Sequence, residues 1–186
     1  MRKFLWGVLF TMLVLFVGGL SVALLGYMPT HANATPPKWE ESLAERALDA
    51  SMEHHAPRVN NPIPATDENL IEGMKIYTMN CALCHGKLDN QRSPLEHQFY
   101  PPAPQLIVEP IDDPEWHIYY GVRTGVRYTA MPSWEKVLTP DQIWKVTGFL
   151  SHLEKLPPGV QDYWKNSFGS GPKPATDEDQ HEHSHH

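Results

Sequence analysis

The chain has 186 residues, 41% of them hydrophobic and 20% charged, with 18 prolines and two cysteines. That composition leaves room for one modest core and excludes both a wholly disordered chain and a disulfide framework. Fifteen Lys and Arg against 22 Asp and Glu give a formal net charge of −7 with no basic cluster, so nucleic acid is not an expected partner.

Behind Arg2 and Lys3 runs an uncharged, Leu/Val/Phe-rich stretch from Phe4 to Tyr27. At helical rise it is long enough to cross a hydrocarbon core of about 30 Å. Residues 1–27 are therefore expected to be a transmembrane anchor or an uncleaved signal; the small-x-small pattern Ala32-Asn33-Ala34 is what a cleavage site would offer instead. The basic flank precedes the helix and none follows it up to Pro37, so the N-terminus is expected in the cytoplasm and the rest outside. In a bacterium this is a single pass of the inner membrane with the folded part in the periplasm.

Residues 28–65 are read as a linker, broken by Pro29, Pro36, Pro37, Pro57, Pro62 and Pro64, that contains an amphipathic helix over 39–55. Trp39, Leu43, Ala47, Leu48 and Met52 supply its apolar spacing, and its net acidity favours docking on the following domain over lying on anionic lipid. The compact domain is expected over 66–157. Thr66 caps a first helix with Asp67 and Glu68 in the first turn, a short helix starts around Pro114, and a last helix starts at Thr139-Pro140-Asp141. No strand pair is evident, so the domain is predicted all-α. Residues 158–186 are a C-terminal extension whose acidic, His-rich end should be disordered.

Both cysteines lie in Cys81-Ala-Leu-Cys84-His85. Zinc requires four ligands, and no second Cys pair or His pair of suitable spacing exists in the ordered part. A redox dithiol expects a βαβ setting, which the surrounding sequence lacks. Two thiols one helical turn apart suit the two vinyl groups of a haem, and the histidine that follows then presents imidazole to the iron. Covalent haem c, attached through Cys81 and Cys84 with His85 as metal ligand, is the expected cofactor.

The stretch 66–157 resembles a class I cytochrome c, most closely the cytochrome c domains grouped with the haem subunits of cbb3-type oxidases. The resemblance rests on Gly73-x₃-Tyr77-x₃-Cys81 ahead of the attachment motif and on Asp141 to Leu150 as the matching C-terminal helix. It implies the class I fold around one haem, with Phe149 or Trp144 facing Gly73 and Tyr77 packed beside the haem. It also implies Met131 as sixth ligand, in Thr129-Ala-Met131-Pro-Ser-Trp134, with His117 the rival. A carbonyl flanked by Pro102 or Pro104 would accept the ligand histidine's Nδ1 hydrogen, Arg123 and Arg127 would meet the propionates, and Trp134 would donate to a propionate or wall the pocket. The expected pocket is closed by Tyr77, Leu83, Leu106 and Trp134. Such a protein is an electron carrier, not itself an enzyme, that passes single electrons between a redox protein donor and acceptor. If Met131 does not ligate, an open distal site would support peroxidase-like or gas-binding chemistry. A third reading, a metal-binding accessory of an oxidase, uses the tail His181, His183, His185 and His186, which would bind metal weakly.

Overall fold

The computed structural model describes residues 1–171, all helix, turn and loop with no strand among them. The tail histidines lie outside the described residues. The chain divides into two compact units, residues 1–34 and Thr35 onward. The first holds α1 (Arg2–Leu24), long and apolar enough to cross a membrane and carrying no charged side chain after Lys3.

In the second unit, α2 (Lys38–His55) precedes α3 (Asp67–Asn80), and α3 leads into the four-residue α4 (Ala82–His85). A long loop with one 3₁₀ turn at Glu96–Gln98 then reaches α5 (Glu115–Thr124), followed by α6 (Pro140–Ser151), a 3₁₀ turn at Leu153–Lys155, and α7 (Pro158–Phe168). Local chemistry sets these boundaries. The Thr66 hydroxyl accepts from Asn69 N at 3.3 Å, while Thr139 and Gln142 form a reciprocal capping box with Pro140 just inside the helix. Pro114 sits one position earlier than expected, as the cap of α5.

Helices α3 and α6 make the main crossing, and one glycine permits it. A Cβ on Gly73 would fall 2.1 Å from the Lys145 carbonyl oxygen and 2.9 Å from Phe149 Cβ. Backbone cannot yield to such an overlap, so glycine there is a packing requirement. The aromatic facing Gly73 is thus Phe149; Trp144 stacks on Tyr119 of α5, with centroids 3.8 Å apart. Tyr77, Phe149 and Trp164 run through the core as a line of tilted rings at 5.8 and 6.0 Å.

Two features differ from the sequence reading. Helix α7 was not anticipated: Val160 and Trp164 are fully buried, four apart on its inner face, behind Pro158 in the first turn and ahead of a left-handed Gly169. The apolar positions of α2 do not share one face, because Trp39 and Met52 lie about 140° apart at 3.6 residues per turn. Met52 is buried against Gly121 of α5, whereas Trp39 and Leu43 are exposed. Tyr100 donates to Glu40 Oε1 at 2.6 Å and helps fix α2 to the domain.

Candidate functional site

Helix α4 is one turn long and cannot satisfy its own carbonyls. Its amides close back on Cys81 O, from Cys84 N at 3.1 Å and His85 N at 2.9 Å. Side chains from elsewhere cap the carbonyls that follow. Ser93 Oγ donates to Leu83 O, and Gln105 Nε2 donates to Cys84 O at 3.0 Å. The Tyr77 hydroxyl lies 2.9 Å from His85 O and 2.8 Å from Gly86 O, so its one hydrogen serves both. Tyr77 is fully buried, and burial pushes its hydroxyl pKa up, which keeps it a donor at any ordinary pH. Beyond the turn, Trp164 Nε1 donates to Leu88 O at 2.6 Å, so α7 braces the loop that leaves the motif.

His85 Nδ1 stands 2.8 Å from the carbonyl oxygen of Pro104. A carbonyl can only accept, so Nδ1 carries the hydrogen and Nε2 keeps its lone pair. Burial lowers the imidazole pKa, with the Pro104 carbonyl acting in the opposite sense, and the ring is neutral at pH 7. That is the form in which histidine ligates a metal. Neither cysteine is in a disulfide, and burial pushes the Cys81 thiol up to about 12, with Cys84 beside it adding to the shift. A thioredoxin-like dithiol sits in a βαβ setting, and the all-helical surroundings of this pair disfavour that chemistry.

Met131 is partly buried against the core, in a loop that bonds to itself. Its amide donates to Thr129 Oγ1 at 3.0 Å, and its carbonyl accepts from Val126 N at 3.1 Å. The next residues are stitched to the end of α5: Ser133 Oγ to Arg123 O at 2.8 Å, Trp134 N to Val122 O at 3.3 Å, Glu135 N to Arg123 O at 3.2 Å. Gly125 allows this approach. It has φ +70°, and a Cβ on it would lie 2.6 Å from backbone atoms of Pro132 and Ser133 and 2.8 Å from Met131 O.

The remaining sequence candidates are scattered. Arg123 Nε is 3.6 Å from Glu135 Oε2, and Arg127 lies over the Tyr128 ring at 4.6 Å. His117 is mostly buried and pairs through Nδ1 with Asp113 at 3.2 Å. His152, at the end of α6, is half-buried, its Nδ1 2.8 Å from Gly148 O. Leu83 corrects the expected pocket. Tyr77 and Leu106 are buried and Trp134 packs on the core, but Leu83 is 64% exposed. On a single helical turn Leu83 faces away from buried Cys81, two residues before it. Sequence reasoning missed Gln105, Ser93 and Trp164 as supports of the motif. A glutamine directly after a proline-rich run was a signal for the first; Ser93 and Trp164 gave none, because their partners are carbonyls remote in sequence.

Two thiols on one turn and a tautomer-fixed imidazole suit covalent haem c. An independent sign is the indole nitrogen of Trp134, a buried donor without an acceptor among the described residues. Buried donors are rarely left unpaired, and this one fits a cofactor carboxylate. Among comparisons with known proteins, residues 68–150 match the family described as cytochrome C oxidase, cbb3-type, subunit III. Those residues form a class I c-type cytochrome domain. The cytochrome domain binds haem c covalently, and Cys81 and Cys84 have its attachment spacing. A chain of the Kuenenia stuttgartiensis reducing HAO-like protein complex is similar at 25% identity and TM-score 0.39, over 50% of this chain and 48% of that one. The curated proteins give no match to the chain.

Proposed function

We propose that this protein is a membrane-anchored monohaem cytochrome c that carries single electrons between two redox proteins on the exported side of a bacterial inner membrane. The observation that carries this reading is the pair formed by His85 Nδ1 and the Pro104 carbonyl, one residue beyond the two thiols. It fixes the neutral tautomer with Nε2 available for iron.

Haem c, when bound, supplies an iron that cycles between Fe(III) and Fe(II). Cys81 and Cys84 would hold the group, and His85 and Met131 would be the protein's two ligands to its iron. A thioether is soft and neutral and favours the reduced iron, which suits a carrier on an oxidising path. With both ligands in place the iron would have no position open to substrate, so the chain would act as a carrier rather than an enzyme. Trp134, Arg123 and Arg127 receive the propionates, the indole as donor and the guanidinium groups as forks. Tyr77, Leu106 and Trp134 keep water from the iron. Helix α1 spans the bilayer with Arg2 and Lys3 on the cytoplasmic side, and the tether raises the effective concentration of the domain near a membrane-bound partner. The description of the matched family as an oxidase subunit supports a respiratory partner.

Membrane fractionation followed by haem staining tests the reading as a whole. The expected result is a full-length haem-positive band that stays with the membrane after a high-salt wash and is reduced by a membrane donor. A soluble haem protein whose first residue is Thr35 would overturn the anchor, and a membrane band without haem stain would overturn the cytochrome.

A further inference from the structure

We infer that Gln105 is a positioning residue for the iron ligand: one buried amide holds the peptide before His85 and the peptide before Pro104, and so sets the hydrogen bond between His85 and the Pro104 carbonyl. The inference rests on the reading of His85 as ligand. Gln105 is 1% exposed, and its amide is used on both sides. Nε2 donates to Cys84 O at 3.0 Å and to Ala103 O at 2.8 Å, while Oε1 accepts from Ser93 N at 2.7 Å. Cys84 immediately precedes His85, and Ala103 immediately precedes Pro104. The same side chain therefore fixes donor and acceptor relative to each other.

The loop has few other means of doing so. Pro101, Pro102 and Pro104 have no N–H, and between Tyr100 and Gln105 only Ala103 has one, donated to Glu96 O at 3.0 Å. The carbonyl that faces His85 thus lies in a segment poor in backbone donors, and the glutamine supplies two. Its own carbonyl takes Val108 N at 3.1 Å and Glu109 N at 2.9 Å, which anchors the far side. Gly86, at φ +94°, leaves room for Oε1, which would lie 3.3 Å from a Cβ there. An apolar residue of equal volume would leave the Ser93 amide and two carbonyls buried and unpaired.

The test is hydrogen exchange of the His85 Nδ1–H by NMR in the reduced, nitrogen-15-labelled holoprotein, with the amide of fully buried Val146 as the reference for global opening. In Gln105→Glu, which keeps the acceptor for Ser93 and loses both donors, exchange at His85 should rise about tenfold relative to Val146, the scale of one hydrogen bond. Gln105→Met should do the same. Ser93→Ala removes a cap from the same turn but leaves the glutamine's bonds, and should stay within about twofold of wild type. An unchanged His85 rate, or a rise no larger than that of Val146, would overturn the inference and make Gln105 only a structural cap. Failure of both glutamine variants to retain haem while Ser93→Ala retains it would also overturn a positioning role. The ligand reading fails separately: a wild-type His85 resonance without the shift imposed by a haem ring would contradict it before any variant is made.

Discussion

His85 is held by side chains that arrive from several separate elements, whereas Met131 is held by groups of its own loop and the adjoining end of α5. On the His85 side, Tyr77 comes from α3, Ser93 and Gln105 from the long loop, and Trp164 from α7. Tyr77 and Trp164 belong to the same core that α3 and α6 close at Gly73, and Ser93 and Gln105 are buried as well. On the Met131 side the bonds run within residues 122–135, to Thr129, Val126, Val122 and Arg123. Bonds of the first kind break only when the domain opens as a whole; bonds of the second kind can break in a local opening. On the proposed ligation, the cytochrome domain therefore has one ligand tied to global stability and one that can leave by itself, and substitutions on the two sides should separate.

The largest effect is expected at the thiols. Changing both Cys81 and Cys84 to Ser should abolish covalent haem, read as complete loss of haem stain on a denaturing gel. Next, Gly73→Ala should destabilise the domain by about 3 kcal/mol, the upper range for overpacking, because the new Cβ meets the backbone of Lys145. A lowered denaturant midpoint with both ligands lost together would confirm that the His85 side shares the global transition. Gly125→Ala should act on the other side alone. Its positive φ and the crowding against Pro132 should cost about 1–3 kcal/mol, expressed as loss of methionine ligation with haem stain intact.

The smallest effect is a pH dependence. Glu72 on α3 is exposed and pairs with Lys145 on α6, and the hydrogen bond and charge of that lysine hold its carboxyl below the usual range. A lowered native pKa means that the pair's stabilisation is present above the unfolded carboxylate pKa and is lost as pH falls through the native one. Between pH 5 and 3 the wild type should lose slightly more stability than Glu72→Gln, measured by denaturant midpoints at both pH values; exposure keeps the difference small.

Much of this architecture was legible in the sequence because its signals are local. The thiol spacing, the histidine that follows, the caps at Thr66 and Thr139 and the apolar period of α6 all act within a turn or two. Gly73 was legible as well, since a glycine inside a helix asks for a close neighbour. What escaped depends on distance in the chain. The role of Gln105 exists only once the loop at 103–105 folds back on the turn at 84, and Trp164 matters because a carbonyl 76 residues earlier needs a donor. Helix α7 was hidden by the polar, Gly-rich sequence on its far side, although Val160 and Trp164 have helical spacing. Leu83 differs for a local reason: an apolar residue that follows buried Cys81 and Ala82 on a single turn need not face the way they do.

The central claim is that the iron is held by His85 and Met131. The most direct measurement is the visible spectrum of the oxidised holoprotein beside that of Met131→Ala. The expected result is a low-spin wild type with the weak red-end band of histidine/methionine haem, and a variant that keeps its haem but loses that band. A high-spin ferric wild type, or a variant with the band unchanged, would contradict it.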